Sequence, residues 1–208
     1  DAYVEMICTR GFPAPGSRDP RTCQNRFFAF AIPFIWIADP AKQELGLHLI
    51  ISQKRRIAPE AVDPTVKNYH WLDLVMGLYE AYERGGQTIV LADADGNVME
   101  GPGFNVFAYD GNTLRTPAVG MLEGVTRRTV LELSGEMGIP TAIEQFDTDV
   151  LRNAEEIFIT STAGGVMPAT TLDGEPVGTG KPGPVTLRLR QAYWNAHDEE
   201  RWTTPVDY

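Results

Sequence analysis

One lysine in this sequence has neighbours that favour chemistry. Lys67 follows Pro64-Thr65-Val66 and precedes the aromatic run Tyr69-His70-Trp71, at the expected start of a helix. Apolar surroundings and the positive end of a helix dipole both favour a neutral amine. A neutral amine is the form that attacks a carbonyl to make a Schiff base. Lys67 is therefore a candidate nucleophile, although a lysine whose stem lies along apolar surface is the simpler interpretation of this residue alone.

The other three lysines have polar or glycine-rich neighbours. Lys42 lies in a polar stretch and Lys181 in a Gly/Pro loop. Lys54 begins the run Lys54-Arg55-Arg56, which we interpret as a surface cluster. None of these three is expected to do chemistry.

A glutamate stands directly before a glycine-rich turn in Glu100-Gly101-Pro102-Gly103-Phe104-Asn105. Glycine lets the backbone approach a ligand closely, so the carboxylate of Glu100 could reach a bound molecule. The ordinary alternative is a hairpin with a surface glutamate.

Two further turns combine glycine with hydroxyl side chains. In the segment 120–128, the amides of Val125 and Thr126 and the Thr126 hydroxyl could hold a phosphate at a helix N-terminus. In the segment 160–165, small hydroxyl residues and glycines form a second candidate anion cradle. Plain helix capping and plain turn formation are the competing interpretations.

The elements that position these residues follow from hydrophobic periodicity and from turn residues. Helices are predicted at 70–84, 124–137, 148–154 and 186–197, and strands at 2–9, 27–37, 45–52, 88–92, 104–109, 113–116, 142–146 and 156–160. The strand at 27–37 is expected to be buried. Strands joined by tight hairpins and followed by helices predict a mixed, largely antiparallel sheet in an α+β fold.

Composition excludes several classes of protein. The chain has 208 residues, of which 43% are hydrophobic, and a formal net charge of −10. A nucleic-acid surface would need a basic patch instead, and no apolar run reaches the length of a membrane span. The two cysteines belong to no metal-binding or CxxC pattern, so we expect free thiols in a cytoplasmic protein.

Taken in order, these motifs resemble the class IV pyridoxal 5′-phosphate (PLP) aminotransferases. That superfamily includes branched-chain and D-amino acid aminotransferases, aminodeoxychorismate lyases and (R)-selective amine transaminases. The resemblance runs from about Tyr3 to the C-terminus and is closest to the (R)-selective amine transaminases. The motifs that carry it are Tyr3-Val4-Glu5 followed by Thr9-Arg10-Gly11, Asp63-Pro64-Thr65-Val66-Lys67-Asn68, Glu100-Gly101-Pro102-Gly103-Phe104-Asn105, Gly124-Val125-Thr126-Arg127 and Thr162-Ala163-Gly164-Gly165-Val166-Met167-Pro168.

The resemblance implies a fold and a set of roles. The fold is the two-domain α+β arrangement, with residues 1–36 as part of the small domain, 37–40 as linker and 41–208 as the large PLP-binding domain. Lys67 matches the Schiff-base lysine and Glu100 the carboxylate on the pyridine nitrogen. The other matched positions are Gly103, Phe104 and Leu122 around the ring, Val125, Thr126, Ser161 and Thr162 at the phosphate, and Tyr3, Glu5, Trp71 and Ala163 in the substrate pocket.

The implied activity is a ping-pong transfer of an amino group from an (R)-amine to a keto acid such as pyruvate, in a homodimer. Glu5 favours a neutral amine donor because an acid disfavours a fixed site for a substrate carboxylate. A branched-chain or D-amino acid aminotransferase, and a non-catalytic binding protein of the same fold, remain open alternatives.

Three features depart from the family pattern. Pro102 replaces a small residue and should stiffen its turn. No position matches the phosphate-binding arginine of the superfamily, so we expect the native polypeptide to extend further towards its N-terminus. Arg18 is a candidate for the mobile arginine that binds a substrate carboxylate in many (R)-amine transaminases.

Overall fold

The computed structural model describes residues 2–205, which fall into two compact units, one ending at Trp36 and the other beginning at Ile37. The first unit is a hairpin of β1 (Ala2–Thr9) and β2 (Arg26–Pro33), with a 3-10 turn at Pro20–Thr22 in the connection. Every residue of β2 is exposed, so the prediction of a buried strand at 27–37 is wrong. A two-stranded sheet has no second layer of its own to cover its faces.

The second unit is built on one mixed sheet. Its strands are β3 (Leu47–Arg55), β4 (Thr88–Ala92), β5 (Asn105–Tyr109), β6 (Leu114–Thr116), β7 (Thr141–Ile143), β8 (Glu156–Ser161), β9 (Gly165–Leu172) and β10 (Glu175–Pro176). They lie in the order β4-β3-β9-β8-β5-β6-β7, and β10 pairs with β9. β3 runs parallel to both β4 and β9, and β6 runs parallel to β7. The other pairs are antiparallel.

In the part of the chain that the structure describes, five α-helices accompany this sheet: α1 (Pro40–Leu45), α2 (Leu72–Glu83), α3 (Val125–Glu136), α4 (Thr148–Arg152) and α5 (Pro184–Asn195), with a 3-10 turn at Ala196–Asp198. α2 packs on β3 and β4, and α5 packs on β8 and β9. Within residues 2–205, no helix is long and apolar enough to cross a membrane.

The central strands have apolar side chains on both faces. Ile157 and Ile159 belong to one core cluster, whereas Phe158 between them packs with Val130 of α3 and Leu189 of α5 in another. This alternation is the two-residue period of a strand buried on both sides. The mixed α+β sheet predicted from the sequence is confirmed. β8 is the central strand and β5 lies next to it, and the turns at one end of each carry residues predicted from the sequence to do chemistry.

Candidate cofactor and catalytic site

Lys67 lies in the loop of residues 56–71, which connects β3 to α2. The side chain of Asp63 accepts hydrogen bonds from the backbone N–H of Thr65 (2.9 Å) and from its hydroxyl (2.7 Å). The amide of Asn68 donates to the carbonyl of Val66 (2.7 Å). These short-range bonds shape the chain on both sides of Lys67.

The structure corrects the expected surroundings of this lysine. Helix α2 begins at Leu72, and Lys67 is exposed in the loop before it. The prediction that apolar neighbours and a helix N-terminus surround Lys67 is therefore wrong. Of the aromatic run Tyr69-His70-Trp71, Trp71 is the N-cap residue of α2, and the other two residues belong to the loop.

Glu100 lies just before the turn that leads into β5, and it is 6% exposed. Its Oε1 accepts hydrogen bonds from Nε (3.2 Å) and Nη2 (3.1 Å) of Arg56. Its Oε2 accepts the backbone N–H of Leu122 at 3.0 Å. Burial raises the pKa of the Glu100 carboxyl, against the Leu122 amide and Arg56, which both lower it. The alternative of a surface glutamate is excluded.

Arg56 is a site residue that the sequence reasoning missed. Its side chain is only 7% exposed, and its Nη1 lies 2.7 Å from Oδ2 of Asp73. The interpretation of Lys54-Arg55-Arg56 as a surface cluster is wrong for Arg56, whereas Lys54 and Arg55 are exposed. Arg56 thus binds two buried carboxylates, one from α2 and one from the turn before β5.

The turn at 101–104 brings Gly103 close to Trp71. Gly103 has φ +79°, and a Cβ built there would lie 3.5 Å from the Trp71 ring. A Cβ on Gly101 would meet the ring of Phe104 at 2.1 Å. Glycine at 101 is required by this packing, and the phenyl ring of Phe104 is buried beneath the turn.

Leu122 links Glu100 to the start of α3. Its carbonyl accepts hydrogen bonds from the side-chain amide of Asn105 (2.7 Å) and from the N–H of Gly124 (2.8 Å). Gly124 is the N-cap residue of α3, and no side chain caps that helix. The competing interpretation is thus met only in part: the N-cap is the neighbouring Gly124, and no side-chain cap by Thr126 or another residue of 2–205 is found. The first amides of α3 stay available for an anion.

The turn between β8 and β9 carries the last group of predicted residues. Ser161 is buried, Thr162 is exposed and Ala163 is half-buried. The Ser161 hydroxyl accepts the N–H of Ala163 (3.2 Å), and the carbonyl of Ala163 accepts the N–H of Ile37 (2.8 Å).

A buried hydroxyl next to this turn lacks a partner. Thr160 is 1% exposed, and its Oγ1 makes no hydrogen bond with any residue in the range 2–205. Thr160 lies opposite Asn105 in the antiparallel pair of β8 and β5, so both side chains are on the same face of the sheet. Asn105 uses that face to reach Leu122, and its Oδ1 would lie 2.3 Å from a Cβ on Gly124. The unpartnered hydroxyl therefore lies on the face that supports the N-terminus of α3.

A cavity of about 220 Å³ separates the lysine loop from the loop before α3. Pro59, Asp63, Pro64 and Thr65 line one side, and Ala118, Val119, Gly120, Met121 and Glu123 line the other. The two loops that carry Lys67 and Leu122 thus face each other across a space.

The remaining predicted residues lie in the first unit. Tyr3 and Glu5 are half-buried on β1, and Arg18 is exposed in the connection between β1 and β2. Their part in the site stays a prediction.

Comparison with known proteins agrees with this geometry. The family model described as "Amino-transferase class IV" matches residues 2–172. A Methanocaldococcus jannaschii protein assigned as a branched-chain-amino-acid aminotransferase is 33% identical over 93% of this chain and 66% of its own length. The branched-chain-amino-acid aminotransferase of Escherichia coli K12 is 28% identical over 97% of this chain and 67% of its own. The chain therefore spans about two thirds of the length of these relatives.

Solved structures show the same likeness. A crystal structure of the Escherichia coli branched-chain amino acid aminotransferase has a TM-score of 0.92 at 28% identity, over 99% of this chain and 70% of the other. The Thermobaculum terrenum enzyme in its PLP form has a TM-score of 0.88 at 26% identity, over 100% of this chain and 69% of the other. The fold, the match over residues 2–172 and the predicted motifs agree: this chain belongs to the class IV aminotransferase family.

Proposed function

We propose that this chain is the PLP-binding part of an aminotransferase, with Lys67 and Glu100 as its principal catalytic residues. Class IV aminotransferases use PLP. The observation that carries the proposal is the buried charge cluster around Glu100. Arg56 contributes one positive charge and Asp73 and Glu100 contribute two negative charges, with all three side chains at most 9% exposed.

The cluster has room for one more cation. An ionised carboxylate has about four lone-pair positions. Arg56 occupies two of them on Oε1, and the Leu122 amide occupies one on Oε2. One position on Oε2 remains, and the cluster has a net charge of −1. A protonated pyridine nitrogen supplies both a donor and the missing charge. The burial that raises the pKa of Glu100 also strengthens such a pair, because the local dielectric constant is low.

The phosphate group fits the N-terminus of α3. The uncapped amides of Val125 and Thr126 and the hydroxyl of Thr126 are donors for it. Thr162 and Ser161 would complete the cradle from the β8–β9 turn. The unpartnered hydroxyl of Thr160 favours the same assignment, since a buried donor without an acceptor is costly.

PLP, when bound, acts as an electron sink that makes the α-proton of an amine acidic. The chain's own residues then have distinct tasks. Lys67 would bind the aldehyde carbon through Nζ and, when released, carry a proton as general base. Glu100 would hold the pyridine nitrogen in its protonated form. Gly103, Phe104 and Leu122 would confine the ring, and Trp71 and Ala163 would line the substrate side.

For the substrate, we propose an aliphatic amino acid as donor and a 2-oxo acid as acceptor. The relatives described above are named branched-chain aminotransferases. Solved relatives were crystallised with norvaline, with 4-methylvaleric acid and with an N-(5′-phosphopyridoxyl)-L-glutamate adduct. These ligands support an apolar side-chain pocket and glutamate as a second substrate.

An (R)-amine with pyruvate is the second candidate pair. It is favoured by Tyr3-Val4-Glu5 followed by Thr9-Arg10-Gly11, because the acid at Glu5 disfavours a fixed carboxylate site. We also propose a homodimer. The outward side of α2 exposes Leu72, Met76 and Tyr79, and exposed apolar stripes of this kind are typical of subunit interfaces.

One experiment separates these proposals. Full-length protein is mixed with PLP and freed of unbound PLP, and its visible absorption is recorded. Leucine with 2-oxoglutarate is then compared with (R)-1-phenylethylamine with pyruvate. We expect a visible band that Lys67→Ala abolishes, and faster turnover of the leucine pair. Lys42→Ala, at an exposed lysine, is the control. Faster turnover of the amine pair would favour the second candidate, and no band in wild-type protein would favour the non-catalytic binding protein.

A further inference from the structure

The loop that carries Lys67 is closed by a single carboxylate. Oδ2 of Asp73, in the first turn of α2, accepts hydrogen bonds from Nη1 of Arg56 (2.7 Å) and from the backbone N–H of Ile57 (2.8 Å). Arg56 and Ile57 are the first two residues of the loop, and Asp73 follows its last residue closely. These hydrogen bonds thus connect the first residues of the loop 56–71 to the helix that follows it.

The arginine in this closure is the one that binds Glu100. Nε and Nη2 of Arg56 face Glu100, while Nη1 faces Asp73. The backbone of Arg56 is also held in place, because its N–H donates a hydrogen bond to the carbonyl of Ala92 (2.9 Å) at the end of β4. All three side chains are at most 9% exposed, so water cannot readily replace any one of these contacts.

We propose that Arg56 is a positioning residue whose one guanidinium both closes the loop carrying Lys67 and fixes the carboxylate of Glu100. Lys67 and Glu100, which are proposed to act on opposite ends of the cofactor, would then both be held in position by the buried guanidinium of Arg56. The catalytic consequence rests on the proposed function, whereas the coupling itself is a property of the chain without cofactor.

The charges predict two shifts of opposite sign. In the described part of the chain, the charged groups that act on Glu100 are Arg56, at the end of β3, and Asp73, on α2. Arg56 lowers the pKa of Glu100 and Asp73 raises it. Removing the Arg56 charge should therefore raise this pKa further, and removing the Asp73 charge should lower it. A merely structural role would move the pKa in one direction in both variants, through a shared change in packing or solvent access.

The test uses the full-length, cofactor-free protein as wild type, Arg56→Met, Arg56→Lys and Asp73→Asn. The Glu100 carboxyl is titrated by ¹³C NMR and assigned from its absence in Glu100→Gln. Trypsin cleavage after Lys67, followed by mass spectrometry, reports opening of the loop. Arg115→Met is the matched control, because Arg115 also binds two carboxylates, Asp110 and Glu144, at the surface.

We expect Arg56→Met to raise the pKa of Glu100, because a positive charge that lowers this pKa is removed. The same variant should speed cleavage after Lys67 at least about tenfold, as loss of a charged hydrogen bond predicts. Asp73→Asn should lower the pKa. Arg56→Lys keeps the charge and should show less than about half the shift of Arg56→Met.

Shifts of the same sign in Arg56→Met and Asp73→Asn, or values in Arg56→Met equal to those of Arg115→Met, would overturn the proposal. If Arg56→Met does not fold, the signs in Arg56→Lys and Asp73→Asn decide the question in the same way. None of these readouts needs cofactor, so failure of the proposed function would appear separately, as the absence of a PLP absorption band in wild-type protein.

Discussion

Replacing Thr160 by valine should make the cofactor-free protein more stable and its cofactor binding weaker. The Thr160 hydroxyl is buried without a partner, at 1% exposure. An unmade hydrogen bond of this kind costs about 1–3 kcal/mol, and valine has nearly the same shape and suits a strand. We therefore expect Thr160→Val to raise the free energy of unfolding by about 1–2 kcal/mol.

The effect on cofactor binding should have the opposite sign. A hydrogen bond to a charged group contributes about 1.5–3 kcal/mol, which corresponds to a loss of affinity of about tenfold to about 150-fold. If the Thr160 hydroxyl serves the phosphate at the N-terminus of α3, Thr160→Val should weaken PLP by this factor. Pyridoxal has no phosphate, so its affinity should not change.

The assays are urea unfolding of cofactor-free protein and fluorescence titration with PLP and with pyridoxal. Thr170→Val is the matched control. Thr170 is also a buried threonine, on the neighbouring strand β9, but its hydroxyl donates to the carbonyl of Leu45 at 3.2 Å. We expect this control to lose about 1 kcal/mol and to keep its PLP affinity. The reasoning is refuted if Thr160→Val loses stability as Thr170→Val does, or if PLP and pyridoxal weaken equally.

Three further predictions concern the scaffold. Glu156→Gln should lower the free energy of unfolding by about 1–3 kcal/mol in urea titrations. The reason is that the buried Glu156 carboxylate accepts three hydrogen bonds at the start of α5. An equal loss in a substitution at an exposed glutamate would contradict this. Gly165→Ala should lower the free energy of unfolding by about 1–3 kcal/mol more than Gly174→Ala does. Both glycines have positive φ, but only at Gly165 would a Cβ lie 2.7 Å from the Tyr193 ring. Equal losses would show that packing against Tyr193 does not matter. The pKa of Asp110 is lowered to about 2 by the backbone amides of Thr113 and Asn112 and by Arg115, so the stability due to the ionised carboxyl is present above the usual value of 3.8 and is lost as the pH falls towards 2. Asp110→Asn should therefore show a weaker pH dependence of the urea midpoint over that interval, and an unchanged dependence would exclude this carboxyl as its source.

The sequence predicted elements well where periodicity and stop signals agree. The helix predicted at 70–84 is observed at Leu72–Glu83, and the one predicted at 124–137 at Val125–Glu136. The strand β4 is observed with the bounds predicted for it. Both helices combine an apolar pattern with glycines just after their ends, and β4 is an apolar run bounded by Gly85-Gly86 before it and Asp95-Gly96 after it, so local and tertiary preferences coincide.

The sequence did not predict β9, although this strand lies in the centre of the sheet. Gly165 begins the strand and Pro168 lies within it, and both residues normally argue against a central strand. Tertiary pairing outweighs them, because β9 is held between β3 and β8. Short α1 was missed for another reason: its six residues are too few for a periodic pattern, and only its start is marked, by the cap from Asp39 and by Pro40.

The candidate site could be predicted as a set of motifs but not as a set of contacts. Glu100 and the turn into α3 were found because glycines mark close approaches of the backbone. Arg56 was missed because its burial depends on a carboxylate 17 residues later and another 44 residues later. Thr160 was placed at the end of a strand and in the turn that follows, with no role of its own, because its lack of a hydrogen-bond partner within residues 2–205 is visible only in three dimensions.

The proposed function is therefore supported by the surroundings of Glu100 rather than by those of Lys67. The reasoning from sequence made Lys67 reactive through burial and a helix dipole, and the exposed loop supplies neither of these. What the chain does supply is a buried cluster with one cation and two anions around Glu100, which is most favourable when a further cation joins it. Under the proposed function, such a cluster would select a ligand with a protonated ring nitrogen before any covalent bond forms. Under the same proposal, Lys67 needs only reach and a loop of fixed shape. Arg56 hydrogen-bonds both Asp73, at the base of that loop, and Glu100, the residue proposed to select the ligand.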